Sequence, residues 1–253
     1  IYIRSRRKDD SSSLSSDFNC FNWINTNCLL IKNDKIIKSI ERKMSNLILE
    51  IKDVSHSYGD NETTLKNVNL QVNKGEKVAI LGPSGSGKST LLRLIAGLEK
   101  PQSGSISIKG EIVSTKDLVV APEKRKLGLV VQEKALFPHL TVKENITFGI
   151  KKRSDKNKTV SELCLLFKID HLADKYPHEI SGGEQQRTAL ARSMAPNPEL
   201  LMLDEPFNAL DQELKGALYS ELNQIFEERK QTILLVSHDL KEAEVLSQRQ
   251  INI

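Results

Sequence analysis

"KVAILGPSGSGKSTLLRLIAGL", residues 77–98, decides the fold. KVAIL (77–81) reads as a short buried strand. Beyond the glycines that follow it, Leu91, Leu94, Ile95 and Leu98 recur on one helical face. Between strand and helix, GPSGSGKST (82–90) fits the spacing GxxxxGK[ST], in the strand-before, helix-after context that the motif requires. In Gly82, Pro83, Ser84, Gly85, Ser86 and Gly87 the glycines let backbone N–H groups turn inward around a β-phosphate, and the helix N-terminus adds its positive dipole end. Lys88 is placed to reach the β/γ oxygens, Ser89 to ligate Mg²⁺, and Thr90 completes the loop. A merely structural glycine turn accounts for neither the lysine nor the context, so the stretch predicts nucleotide binding.

Working outward, LGLVV (127–131), LLML (200–203) and TILLV (232–236) are continuous apolar runs. Runs of this kind suit a parallel sheet covered on both faces. LILEIKDV (47–54), VNLQV (68–72) and GSISIKG (104–110) instead alternate, as antiparallel half-buried strands do. About 135–195 reads as a helical lobe inserted into the core, with KKRSDKNK (151–158) as an exposed loop, and RQINI (249–253) reads as a strand cut short. The predicted class is α/β: a P-loop NTPase core with a mostly parallel sheet, an antiparallel β subdomain and an inserted helical subdomain.

LLMLDE (200–205) sets two carboxylates at the end of an apolar strand, where open α/β sheets build their sites. Asp204 is placed for the Mg²⁺ shell, through water, and Glu205 for general-base activation of the attacking water. SHD (237–239) ends the next strand and puts His238 beside the γ-phosphate as a hydrogen-bond donor. Gln132 follows the strand LGLVV, where its amide can meet Mg²⁺ or the lytic water.

Bulk properties narrow the partners. No apolar run approaches the roughly 18 residues of a membrane-spanning helix, so work at a membrane requires docking on a partner. The net charge of +4 comes from residues 1–43, which hold nine Lys/Arg against five Asp/Glu; the remainder is balanced, which argues against nucleic acid. Cys20, Cys28 and Cys164 form no CxxC pair, which fits a reduced compartment. Residues 1–43 lack clear periodicity, and Met44 opens the strand pattern. We expect 1–43 to be a non-native or disordered leader and 44–253 to be the folded domain, truncated at its C-terminus.

SGGEQQR (181–187) looks like a second phosphate cradle, yet it has no lysine. The phosphate loop, Gln132, SGGEQQR, LLMLDE, NALD (208–211) and His238 together resemble, in order and spacing, the ATP-binding-cassette ATPases, over about 47–250. The resemblance implies a head-to-tail dimer of two such subunits with ATP sandwiched between the phosphate loop of one and the signature turn of the other. Ser181, Gly182, Gly183 and Glu184 would then face the γ-phosphate in trans, Asp211 would sit at the dimer interface, and Tyr58 would stack on adenine. This sequence differs from the usual LSGGQ at Ile180 and Glu184, and carries Asn208 where serine is common.

Among such proteins, one nucleotide-binding unit without heptads is similar to a transporter subunit rather than a translation or repair cassette. A P-loop kinase would lack the signature turn. The resemblance further implies that 133–150, with exposed Phe137, Pro138 and Leu140, receives an integral membrane permease. The chain would then lie peripherally on the cytoplasmic face of the inner membrane and work indirectly with a periplasmic or lipid-anchored solute-binding protein. LVVQEKALFPHLTVKENITFGI (129–150) and LLVSHDLKEAE (234–244) look most like the ferric-iron import ATPases; polyamine, molybdate, sulfate and thiamine importers share much of these stretches.

Overall fold

The computed structural model describes residues 46–59, 63–131, 135–150, 156–208 and 212–253. Residues 1–43 and the boundary expected there lie outside the described residues, as do Gln132 and Asp211.

A four-stranded antiparallel sheet runs in the order β2-β1-β4-β5, from β1 (Leu47–Ser57), β2 (Thr63–Asn73), β4 (Ser103–Ile108) and β5 (Glu111–Thr115). A five-stranded parallel sheet runs β6-β7-β8-β3-β9, from β3 (Lys77–Leu81), β6 (Leu127–Val130), β7 (Leu200–Asp204), β8 (Ile233–Ser237) and β9 (Arg249–Asn252). Helix α1 (Lys88–Ala96) follows β3. Helices α2 (Val142–Thr147), α3 (Lys156–Leu166) and α4 (Gly182–Met194) lie between β6 and β7. Helices α5 (Gln212–Glu228) and α6 (Leu240–Leu246) follow β7 and β8.

The period-2 geometry of the strands explains why the parallel sheet is apolar throughout. Val78, Ile80, Leu200, Met202, Leu234 and Val236 point into one core, which α1 and the antiparallel sheet complete. Their neighbours Ala79, Leu81, Leu201, Leu203, Ile233 and Leu235 point into a second core, filled by the helices α2–α6. Both faces are buried, so no position on β3 or β8, and none on β7 before Asp204, alternates to solvent.

Arg125 joins the first core to the phosphate-loop helix. It is 3% exposed, and its guanidinium donates to the carbonyls of Leu94 and Ile95 at the end of α1, of Val113 on β5 and of Val120, and to the Ser114 hydroxyl. Burial pulls its pKa down to about 10. The same side chain explains Gly97, which ends α1 with φ 79°: a Cβ there would lie 2.5 Å from the guanidinium.

Three sequence expectations change. Leu98 lies beyond α1 and is exposed, because the left-handed Gly97 ends the helix before a fourth apolar position can join the face. Lys156, Asn157 and Lys158, expected in a loop, form the first turn of α3; the rest of that loop lies outside the described residues. The strand expected over 104–110 stops at Ile108, and Lys109 and Gly110, both at positive φ, turn the chain into β5, which lacks a visible alternation in the sequence.

Candidate active site

The parallel order places three strand ends side by side. β8 lies between β3 and β7; Leu81 pairs with Ser237 and Val236 with Asp204, so the phosphate loop, His238 and the acid pair leave the sheet at one level. The contact that closes the group is direct: Ser89 Oγ donates to Asp204 Oδ1 at 2.9 Å across 115 residues of sequence.

In the loop, Gly87 has φ 92°, and a Cβ on it would lie 2.7 Å from Leu65 and 2.8 Å from the Thr64 carbonyl, so only glycine fits. Helix α1 has no side-chain cap and no acidic residue in its first turn, which leaves its positive end suited to an anion. Lys88, 4% exposed, curls back and donates to the carbonyls of Gly82 and Pro83 at 2.8 Å each. The Ser86 hydroxyl is buried without a partner among the described residues. Pro83, Ser84 and Gly85 are exposed at the turn and Thr90 is buried in α1. A buried hydroxyl lacking a partner, an uncapped helix start and a Ser89–Asp204 oxygen pair suit a phosphate with a hard divalent cation.

Burial raises the Asp204 carboxyl above the usual range; the Ser89 hydrogen bond opposes this, and the neighbouring Glu205 adds to it. Glu205 sits at φ 44°, an unfavourable region for a residue with a Cβ, held by its N–H bond to the Val236 carbonyl at 2.9 Å. Its Oε2 lies 3.4 Å from His238 Nδ1 and accepts from the Asn208 amide. The structure thus brings together Lys88, Ser89, Asp204, Glu205 and His238.

Away from this cluster, Ser181 caps α4. Its Oγ accepts from the Glu184 N–H at 3.4 Å, while Glu184 Oε2 accepts from the Ser181 N–H at 2.7 Å and from its hydroxyl at 2.8 Å. These Ser181 hydrogen bonds hold the Glu184 carboxyl below the ordinary glutamate range. Gly182 and Gly183 form the first turn, and a Cβ on Gly183 would meet no described atom within 4 Å. Tyr58 is 59% exposed, its hydroxyl bound to Glu99 at 2.5 Å. Phe137 and Leu140 are half-buried and Pro138 is exposed.

Sequence reasoning passed over Phe148, which is 66% exposed and packs at 4.5 Å against Phe137, whose ring also meets the Arg192 guanidinium at 5.2 Å and the His139 ring at 6.2 Å. Nothing in the helical period marks it, since it stands just past α2. Glu99, the anchor of Tyr58, was also missed; it lies 41 residues away in the sequence.

Fold and site define a domain of the P-loop NTPase class. Within that class, the sequence pattern described as "ABC transporter" matches residues 65–208, more than half of the chain, and the chain belongs to that family. A sulfate/thiosulfate import ATP-binding protein, CysA of Pectobacterium atrosepticum, is 44% identical over 79% of this chain and 62% of its own length. The Fe(3+) ions import ATP-binding protein FbpC 2 of the same organism is also 44% identical, over 78% and 57%. The chain therefore spans little more than half the length of these relatives. A solved dimer of the ATP-binding cassette MJ0796, bound to ADP and Pi, superposes with a TM-score of 0.71 at 34% identity, covering 81% of this chain and 94% of that one.

Proposed function

We propose that this chain is the ATP-hydrolysing subunit of a bacterial importer. The observation that carries the reading is the 2.9 Å contact of Ser89 with Asp204, which unites the phosphate loop and the acid-bearing strand in one site. Lys88 would leave the Gly82 and Pro83 carbonyls for the β/γ-phosphates. Ser89 and Asp204 would hold Mg²⁺, with Gln132. That ion would neutralise phosphate charge. Glu205, its Oε2 already oriented by Asn208 and near His238, would take the proton of the attacking water, and His238 would donate to the γ-phosphate. Tyr58 offers an exposed ring for adenine.

Hydrolysis is assigned to a homodimer, with Ser181, Gly182, Gly183 and Glu184 of one subunit over the phosphate loop of the other and Asp211 at the interface. The dimeric state of the MJ0796 cassette supports this reading. The permease would dock on the Phe137–Phe148 surface, beside a groove of about 630 Å³ lined by Leu140, Thr141, Lys143, Glu144 and Phe148. No helix among the described residues is long and apolar enough to cross a membrane, which suits a subunit held peripherally on the cytoplasmic face by such a partner.

Ferric iron is the solute we put forward. Sulfate is the second reading, because relatives named for the two solutes share the same 44% identity with this chain. Glu205→Gln tests the site: ATP binding persists and Mg²⁺-dependent hydrolysis falls by about 10²–10⁴-fold. Unchanged turnover would remove Glu205 as the base. Purification with the permease and solute-stimulated ATPase, ferric iron against sulfate, then separates the two readings.

A further inference from the structure

One buried carboxyl near this site has no role in the scheme above. Glu242, in the first turn of α6, is 2% exposed. Its Oε2 accepts the Ser237 hydroxyl at 2.6 Å, and its Oε1 has no hydrogen-bond partner among the described residues. Ser237 is the buried last residue of β8, and its Oγ also accepts the Asp239 N–H at 2.9 Å. One hydroxyl therefore ties Glu242 to the backbone on both sides of His238.

A buried carboxylate with an unpaired oxygen is costly, whereas the neutral acid is tolerated. The groups facing Glu242 are Ser237 from β8, Asp239 at the cap of its own helix, Glu205 beyond β7, and Lys215 and Tyr219 from α5. Burial is the main cause that raises the Glu242 carboxyl, to about 7; the Ser237 bond and Lys215 oppose it, while Asp239 and Glu205 reinforce it. The Tyr219 hydroxyl is likewise buried without a partner among the described residues, and its phenol is raised by burial and by the nearby acids Glu242 and Asp239.

We propose that Glu242 is a positioning residue for His238: it holds a proton in the working enzyme, and losing this proton acts on the imidazole through Ser237. The inference rests on the reading of His238 as a γ-phosphate partner. As pH rises through about 7, Glu242 becomes an anion. The new charge opposes the negative charge gathering on phosphate. Turnover therefore declines through that range, while the KM for ATP holds.

Two readouts in the full chain test this. The His238 Cε1–H resonance, assigned with His238→Ala, titrates in two steps in the wild type and in one step in Glu242→Gln, which keeps an acceptor for Ser237 without the titration. The kcat decline above neutrality is lost in the same variant. A single-step wild-type titration, or a variant that keeps both the second step and the decline, overturns the proposal. The wild-type titration decides alone if Glu242→Gln does not fold. Wild-type ATPase in His238→Ala would overturn the catalytic assignment yet leave the two-step titration in place, so the two failures are distinct.

Discussion

Two helices begin with glycine and serine beside a turn that looks made for phosphate, and they differ in who satisfies them. At α1 the cap is Gly87, with no side-chain bond and no acid in the first turn. At α4 the cap is Ser181, and Glu184 three residues on closes a reciprocal capping box within the same chain. The first helix start needs an anion to complete it. The second closes part of its own start and carries a carboxylate besides. A turn of that kind lacks the lysine and the open cap of the first, which is why its role is proposed in trans, on the phosphate loop of a second subunit.

The contrast can be broken at its strong end first. Lys88→Ala removes the ammonium proposed for the β/γ-phosphates; losing one charge-assisted bond costs about 2–3 kcal/mol, so ATP affinity is expected to fall by roughly 30- to 150-fold in equilibrium titration. Undiminished binding would mean that α1 is not the nucleotide's helix. Gly183→Trp probes the other end. A Cβ there meets no described atom within 4 Å, so folding and ATP affinity are expected to stay at wild-type values while hydrolysis and ATP-driven dimerisation are lost. Normal hydrolysis in that variant would free α4 from any role in trans. A smaller effect, on stability, is expected from Ser181→Ala. Losing the cap costs about 1 kcal/mol, a drop of roughly 2–4 °C in Tm. Glu184→Gln keeps the box and should leave Tm nearly unchanged.

Much of the fold is legible in the sequence because the parallel strands are buried on both faces, and KVAIL, LLML and ILLV have no other place to go. The site strands are legible for the same reason: an apolar run that ends in Asp204-Glu205 or Ser237-His238 announces a strand end. What stayed hidden depends on long-range contacts or on local exceptions. β5 is an edge strand with Ile112 exposed, so it shows no alternation. The start of α3 is masked by its lysines, since its buried positions begin only at Val160. The Ser181–Glu184 spacing is a capping box in plain view, but read as ligand chemistry it passed for a departure from a motif. The Ser89–Asp204 contact and the burial of Glu242 arise only when distant segments meet.

Arg125 gives the molecule a property beyond its hydrogen bonds. Its one guanidinium binds the last carbonyls of the phosphate-loop helix, the strand β5 and the Val120 carbonyl, so these segments are fastened to a single group. In hydrogen-exchange terms, the expected outcome is that the last turn of α1 and the edge of the antiparallel sheet exchange as one foldon, although they belong to different layers. The phosphate loop, already packed on that sheet where Gly87 meets Thr64 and Leu65, is braced a second time by one buried cation at the far end of its helix.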